Sequence, residues 1–516
     1  MSGLLEKLYR VSWGLLTDFY EITMAYGYWK AGIADRHAAF HLIFRQNPFG
    51  GGFTVACGLA TAVEFLQAYR FSGEDLEYLA SLKAGDGRPL FEPAFLDYLS
   101  TLRITAQVDA VPEGTVVFPH EPLVRVIGPL AQCQLIESGL LNIVNFQTLI
   151  ATKAARVVLA ARGQPVLEFG LRRAQGIDGA MSATRAAYIG GCVATSNTLA
   201  GRLLGIPVRG THAHSWVMCF DSELEAFRAF ARTLPANCIL LVDTYQTLEG
   251  VRHAVEVAQE LAATGHRLVG IRLDSGDLAY LSQEARKILD QAGLTDAVIV
   301  ASGDLDERIV ASLHEQGAKI DVWGVGTRLV TAYDEPALGG VYKLTAVADA
   351  QGRWVDKVKV SEQAVKSSTP GILQVRRYIR NGEAIGDAIF DERYPPAAEC
   401  VIVDPADATR RKTLPAAAEK EDLLIPILRD GHLVSPLPSL EEARQRTQKQ
   451  LALFHPAIKR FINPHAYPAG LELSLYERKF RAILRQRGYM PAENPGNLQD
   501  TSPGPPTAGN QPVASS

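Results

Sequence analysis

His212 and His214 stand two positions apart in the run Gly210-Thr-His-Ala-His214. In extended geometry residues i and i+2 point to the same side. Such a pair suits a metal ion on a barrel hydrolase, or one imidazole can act as nucleophile or base while a carboxylate orients its other nitrogen. Asp243 and Asp274 are the acids available to either arrangement. The metal reading needs further ligands, yet His253, His266 and His314 fall on helix patterns or just before strands. A single catalytic histidine asks for less: His214, with Asp243 holding one ring nitrogen. Taken alone, either histidine also reads as a satisfied polar residue. Arg172 and Arg272 offer guanidinium groups suited to bidentate recognition of carboxylate or phosphate, unless Glu168 or Asp274 ties them up in ion pairs. Ser302-Gly303-Asp304 and Gly324-Val-Gly326-Thr327 are glycine turns whose backbone N–H groups can point at one anion. Neither matches the P-loop or the dinucleotide fingerprint. Tyr20 and Phe169 can supply flat apolar walls.

These residues need elements that bring them together. Between about 165 and 327, short β-branched runs (165–169, 191–194, 207–209, 238–242, 268–273, 297–301, 320–325) alternate with amphipathic stretches such as 248–262 and 278–289. The pattern predicts a parallel sheet in an α/β fold: a central, irregular β/α barrel of about seven strands, or alternatively a doubly wound open sheet. The polar residues follow nearly every strand, so a barrel gathers them on one face. Capping accounts for some of them, notably Ser282 and Asp306. The expected organisation is an N-terminal α+β domain over 1–140 with a helix over 17–29, a catalytic barrel over 141–345, a C-terminal region over 346–490, and a disordered Pro/Gly-rich tail over 491–516. Strands are expected at 341–344 and 357–360, and helices over 441–454 and 473–487.

Composition narrows the function classes. The 516 residues carry 52 Lys+Arg against 56 Asp+Glu, a formal net charge of −4, which gives no footprint for nucleic acid or an anionic membrane. No run approaches the roughly 18 apolar residues of a membrane span, and Glu6, Lys7 and Arg10 interrupt the start where a leader would be apolar. The expectation is a cytoplasmic protein. Its six cysteines are scattered without a C-x-x-C pair and read as small buried hydrophobes.

Together, Leu16-Thr-Asp-Phe-Tyr-Glu-Ile-Thr-Met24, Glu168-Phe-Gly-Leu-Arg-Arg173, Gly210-Thr-His-Ala-His-Ser-Trp216, Arg272-Leu-Asp-Ser-Gly-Asp277, Gly324-Val-Gly-Thr327 and Gly339-Gly-Val-Tyr-Lys343 closely resemble nicotinate phosphoribosyltransferases, in the family's order over about residues 10–375. The resemblance implies transfer of phosphoribosyl from 5-phosphoribosyl 1-diphosphate to nicotinate in NAD salvage, with ATP as co-substrate and Mg²⁺ held mainly through the diphosphate. It implies that ATP phosphorylates His214, oriented by Asp243, and that Tyr20 and Phe169 sandwich the pyridine ring. Thr211 and Arg272 correspond to nicotinate contacts, Arg172 to a basic contact and Thr327 to a donor contact. Asp18, Asp274, Ser275, Asp277, Ser302, Gly303 and Gly326 are implied in or around the site. A homodimer with shared sites follows, Tyr20 coming from the partner. The sister nicotinamide enzyme is the alternative; it carries an aspartate where Ser196-Asn197 stand here, and neutral Asn197 favours nicotinate. His212 and Gly303-Asp304 depart from the commonest family pattern.

Overall fold

The computed structural model describes residues 12–362 and 367–491. The tail expected over 491–516 lies outside the described residues except for Pro491.

The chain folds as mixed α/β around three larger sheets. At the centre are six parallel strands: β1 (Val166–Glu168), β2 (Ala194–Thr195), β3 (Ile239–Leu241), β4 (Gly270–Leu273), β5 (Val298–Ala301) and β6 (Val322–Val325). Their spatial order is β2-β1-β6-β5-β4-β3. Six of the seven expected strand runs become strands. The seventh, 207–209, is reduced to a single bridge between Thr195 and Val208. Pro207 has no N–H to donate, and Gly205 in the left-handed region and Gly210 punctuate either side, so no ladder extends there. Backbone pairing therefore yields an open six-stranded parallel sheet, a half-barrel, in place of the expected irregular barrel of about seven strands.

Crossover helices pack on this sheet, and three of them begin on a side-chain cap. Helix α4 (Glu223–Thr233) starts on Ser222, whose hydroxyl accepts the Glu225 N–H. Helix α6 (Leu278–Gln291) starts on Asp277, and α7 (Glu307–Glu315) on Asp306, whose carboxylate accepts two N–H groups. Asp306 is thus a cap, as read. Ser282 is not: it sits inside α6 and its hydroxyl accepts the Lys319 N–H. Between α4 and α6 runs α5 (Thr247–Ala263). Val251, Ala254, Val257, Ala258 and Leu261 of α5 share one buried cluster with β3 and β4, the apolar stripe that helical periodicity required.

A second sheet is antiparallel, with seven strands in the order 354–356, 340–348, 37–44, 122–129, 107–110, 425–429, 432–433. It draws on three separated stretches of chain, and so crosses the boundaries expected at 140 and 345. The strand expected at 357–360 forms instead at Trp354–Asp356. Beyond it, the Lys359 N–H turns to the Ser368 hydroxyl rather than to a neighbouring strand. Helix α1 (Phe19–Lys30) precedes this sheet, and α2 (Glu137–Ala160) joins it to the centre. α2 is the one described helix long and apolar enough to cross a membrane. Most of it is buried inside the fold, and Lys153 and Arg156 on it are sealed by ion pairs with Glu307. The third sheet, six strands between 373 and 472, carries the C-terminal helices Leu440–Ala452 and Leu473–Gln486. All six cysteines are free; five are buried and Cys219 is exposed.

Candidate active site

The strand ends of the central sheet converge on Arg272, at the end of β4. Its Nε donates to Ser302 Oγ (2.8 Å) beyond β5, its Nη1 to Thr211 Oγ1 (3.1 Å), and its Nη2 to Asp274 Oδ1 (2.6 Å). The guanidinium also stands 5.8 Å from the ring centroid of Phe169, beyond β1. Four chain segments distant in sequence thus meet at one side chain. The ion pair with Asp274 foreseen for Arg272 is present, but it uses only one edge of the fork. Burial alone would raise the Asp274 carboxyl; the Ser302 hydroxyl and the Arg272 charge outweigh it and hold it below the usual carboxylate range.

From Asp274 the contacts run on to His214. His214 Nε2 lies 3.9 Å from Asp274 Oδ2, and His214 Nδ1 is 3.2 Å from the Thr244 hydroxyl. The expected orienting carboxylate, Asp243, is engaged elsewhere: its Oδ2 accepts the Asp274 N–H (2.9 Å) and the Ser275 hydroxyl (2.7 Å). Asp243 therefore positions the 274–275 turn, and Thr244 takes the place at the imidazole. Both stand in one polar segment after β3, and only the turn of the backbone decides which of them reaches His214. The other oxygen, Asp243 Oδ1, is buried without a hydrogen-bond partner.

Phe169, Leu171, Arg172, Ser196, Thr211, His212 and Arg272 line a cavity of about 260 Å³. That is slightly under the roughly 300–1,000 Å³ usual for drug-sized ligands and suits a small aromatic acid. Arg172 is exposed at its edge. Glu168, the ion-pair partner considered for it, is instead buried and accepts the Gly170 N–H and the hydroxyls of Thr184 (2.9 Å) and Thr195 (2.6 Å). This fixes the turn that carries Phe169. Gly324 leaves room for that ring, since a Cβ there would meet it at 2.7 Å. Gly303 has φ +96°, and a Cβ on it would stand 2.2 Å from the Asp274 carbonyl, so the 302–304 turn lies directly on the 274 turn. Gly326 lies against the Phe169 carbonyl, and Thr327 opens the short helix Thr327–Val330 beside it.

Some expected residues stand elsewhere. Asp277 is the cap of α6. Asn197 is buried, capping helix α3 (Thr198–Leu204) with its oxygen while its nitrogen donates to Thr184; Ser196 is the residue that faces the cavity. Tyr20 and Asp18 line a different cavity, of about 750 Å³, with Ser138, Asn145 and Pro336, so one chain does not bring Tyr20 to Phe169. The two histidines also separate. His212 is buried and its Nε2 accepts the Leu241 N–H (3.1 Å), leaving no lone pair for a metal shared with His214. Among the described residues no group of three or more His, Cys, Asp or Glu is arranged to hold a metal ion. The hydrolase reading loses its ligand pair.

Comparison with known proteins agrees along most of the chain. Residues 165–383 match the sequence model described as nicotinate phosphoribosyltransferase (NAPRTase) family, residues 15–145 that of its N-terminal domain and 374–479 that of its C-terminal domain. Nicotinate phosphoribosyltransferase of Bacillus subtilis (strain 168) is 44% identical over 479 residues, covering 92% of this chain and 95% of that one. The Homo sapiens enzyme is 37% identical over 516 residues, covering 89% and 94%. The crystal structure of human nicotinic acid phosphoribosyltransferase superposes with a TM-score of 0.79 at 35% identity, over 90% of this chain and all of that one.

Proposed function

Since this chain belongs to the nicotinate phosphoribosyltransferase family, we propose that the Arg272 junction is where it carries out the family's reaction, and that ATP drives the cycle through His214. The chain is a nicotinate phosphoribosyltransferase acting in NAD salvage, with nicotinate and 5-phosphoribosyl 1-diphosphate as substrates.

In our reading nicotinate lies on Phe169, its carboxylate toward Arg272, Thr211 and Arg172. Ser196 at the cavity wall is neutral and does not repel a carboxylate. The observation that carries the reading is the three-way contact of Arg272 with Thr211, Asp274 and Ser302, which joins the ring cavity to the two turns where the donor would sit. The pyridine nitrogen forms its bond to the ribose carbon as the bond to diphosphate breaks. The transition state is oxocarbenium-like, so positioning and stabilisation of the leaving group do most of the work. The turns at Ser302-Gly303 and Gly326-Thr327 offer backbone N–H groups to the 5-phosphate. Mg²⁺ would be held mainly by diphosphate oxygens, which is its usual manner, and would supply charge neutralisation. Asp243, with one buried oxygen lacking a partner, and Asp274 are hard-oxygen donors fitting such an ion.

Phosphorylation of His214 would add about two negative charges beside Asp274 and Thr244. Repulsion between phosphoryl group and carboxylate shifts the 274–275 turn, and this is how ATP changes the affinity for the donor. The enzyme is read as cytoplasmic. It is also read as a homodimer whose partner supplies Tyr20: Leu16, Phe19, Tyr20 and Met24 form an exposed apolar face at α1, and Leu171, Ile177, Leu199 and Leu203 another beside the cavity.

The test is incubation with nicotinate, the phosphoribosyl donor and Mg²⁺, with and without ATP, following the mononucleotide by chromatography, with nicotinamide in parallel. ATP should stimulate product from nicotinate and leave an acid-labile phosphate on the protein that His214→Ala lacks. Full ATP stimulation in His214→Ala, or equal use of nicotinamide, would overturn these assignments.

A further inference from the structure

We infer that His212 is a positioning residue that spans the open edge of the central sheet and thereby sets both Thr211 and His214. The sheet ends on one side at β3. In a parallel ladder successive N–H groups point to opposite neighbours. The Val242 N–H turns inward to the Arg272 carbonyl, so the Leu241 N–H faces the gap. On the other side, beyond β2, the Thr195–Val208 bridge is the last pairing before the chain enters the 210–213 loop. A buried strand-edge N–H without an acceptor is costly. The acceptor here is a side chain: His212 Nε2, 3.1 Å from the Leu241 nitrogen.

The donor dictates the tautomer. An N–H can only donate, so Nε2 must carry the lone pair and Nδ1 the proton, and Nδ1 lies 3.4 Å from the Ala213 carbonyl to which it donates. The ring is wedged against Phe230 and Phe227 of α4, with centroids 4.7 and 6.1 Å away. Burial pushes the imidazole down to about 4, in keeping with a neutral acceptor. Leu241 lies three residues before Thr244, the group beside His214 Nδ1. Trp216 Nε1, two residues past His214, donates to the Ala226 carbonyl of α4 (3.1 Å). Residues 212, 214 and 216 are therefore tied in turn to β3, to the segment after β3, and to α4. The His-x-His spacing is explained by this division: one imidazole holds the loop, and the other, steadied at Nδ1, presents Nε2 toward Asp274.

The inference deepens the proposed reading and rests on it only for its kinetic arm. Specific ¹⁵N labelling of histidine in the full chain, with the His212 signals identified by their loss in His212→Gln, should find Nε2 unprotonated and Nδ1 protonated. The opposite tautomer, or rapid exchange of both, overturns the inference whatever the enzyme's substrate. In steady-state assays His212→Phe, which keeps an aromatic ring without an acceptor, should lower kcat/KM for nicotinate by roughly 10- to 100-fold through displacement of Thr211 and His214. His212→Gln, which returns an acceptor oxygen near Nε2, should recover most of that loss. Undiminished kcat/KM in the Phe variant, or no recovery with Gln, refutes the positioning role. A wild-type chain inactive on nicotinate would instead count against the proposed function.

Discussion

Arg272 is the side chain on which the site turns. With Nε, Nη1 and Nη2 all engaged, it joins two strand ends and the 210–213 loop at once, and no ammonium on a flexible stem can reproduce that planar fork. Hydrogen bonds to charged groups are worth about 1.5–3 kcal/mol each. Arg272→Lys keeps the charge but loses at least one of them, so kcat/KM for nicotinate should fall roughly 10- to 100-fold, read by initial rates with the donor saturating. Retention of wild-type kcat/KM would show that Arg272 is only a partner for Asp274. The strand-end position of Arg272 was legible in sequence because it stands near the close of the 268–273 run. Its partners were not, since Ser302 and Thr211 lie 30 and 61 positions away.

At the level of elements, α1 carries a built-in proton dependence. Burial pushes the Glu21 carboxyl up to about 8, with the nearby Glu137 and Asp18 charges adding and Ser138 opposing. Thr17 and Ser138 donate hydroxyls to it. The native state thus binds this proton more tightly than the unfolded chain does. The associated stabilisation is complete below the ordinary carboxylate value of about 4.5 and is lost as pH rises through about 8. The Tm of the wild type relative to Glu21→Gln should therefore decline steadily across that window in parallel thermal melts. A difference that stays constant from pH 5 to 9 would mean that Glu21 titrates normally. Helices were legible because periodicity is local, and the cap Asp277 marks the third: 17–29, 248–262 and 278–289 were expected, and 19–30, 247–263 and 278–291 form. The edge segments at 207–209 and 357–360 misled because β-branched composition shows that a run can pair, while the availability of a partner decides whether it does.

For the molecule as a whole, the separation of Tyr20 from Phe169 within one chain is the observation with the widest consequence. If each site borrows Tyr20 from a second copy, a dimer of Tyr20→Ala with His214→Ala contains one site with both lesions and one with neither. Mixing equal amounts of the two variants under subunit exchange should restore about a quarter of the wild-type ATP-stimulated activity, since half the dimers are mixed and each has one intact site. Activity that stays at the sum of the two parents would place Tyr20 outside the shared site. The interwoven second sheet, built from 37–129, 340–356 and 425–433, bears on the same scale: a truncation near 345 or 140 cuts a sheet in half instead of releasing a unit.

Residue type, capping and periodicity are local properties, and they were enough to fix which chemistries were available, their order along the chain, and the parallel alternation that gathers them at strand ends. Which neighbour each polar group takes came from the folded arrangement. It gave Thr244 rather than Asp243 to His214, Ser196 rather than Asn197 to the cavity, and Leu241 to His212. Adjacent residues at a strand end point in different directions, and which of them meets a group beyond another strand is fixed by sheet order and by the close approaches that Gly303 and Gly324 permit.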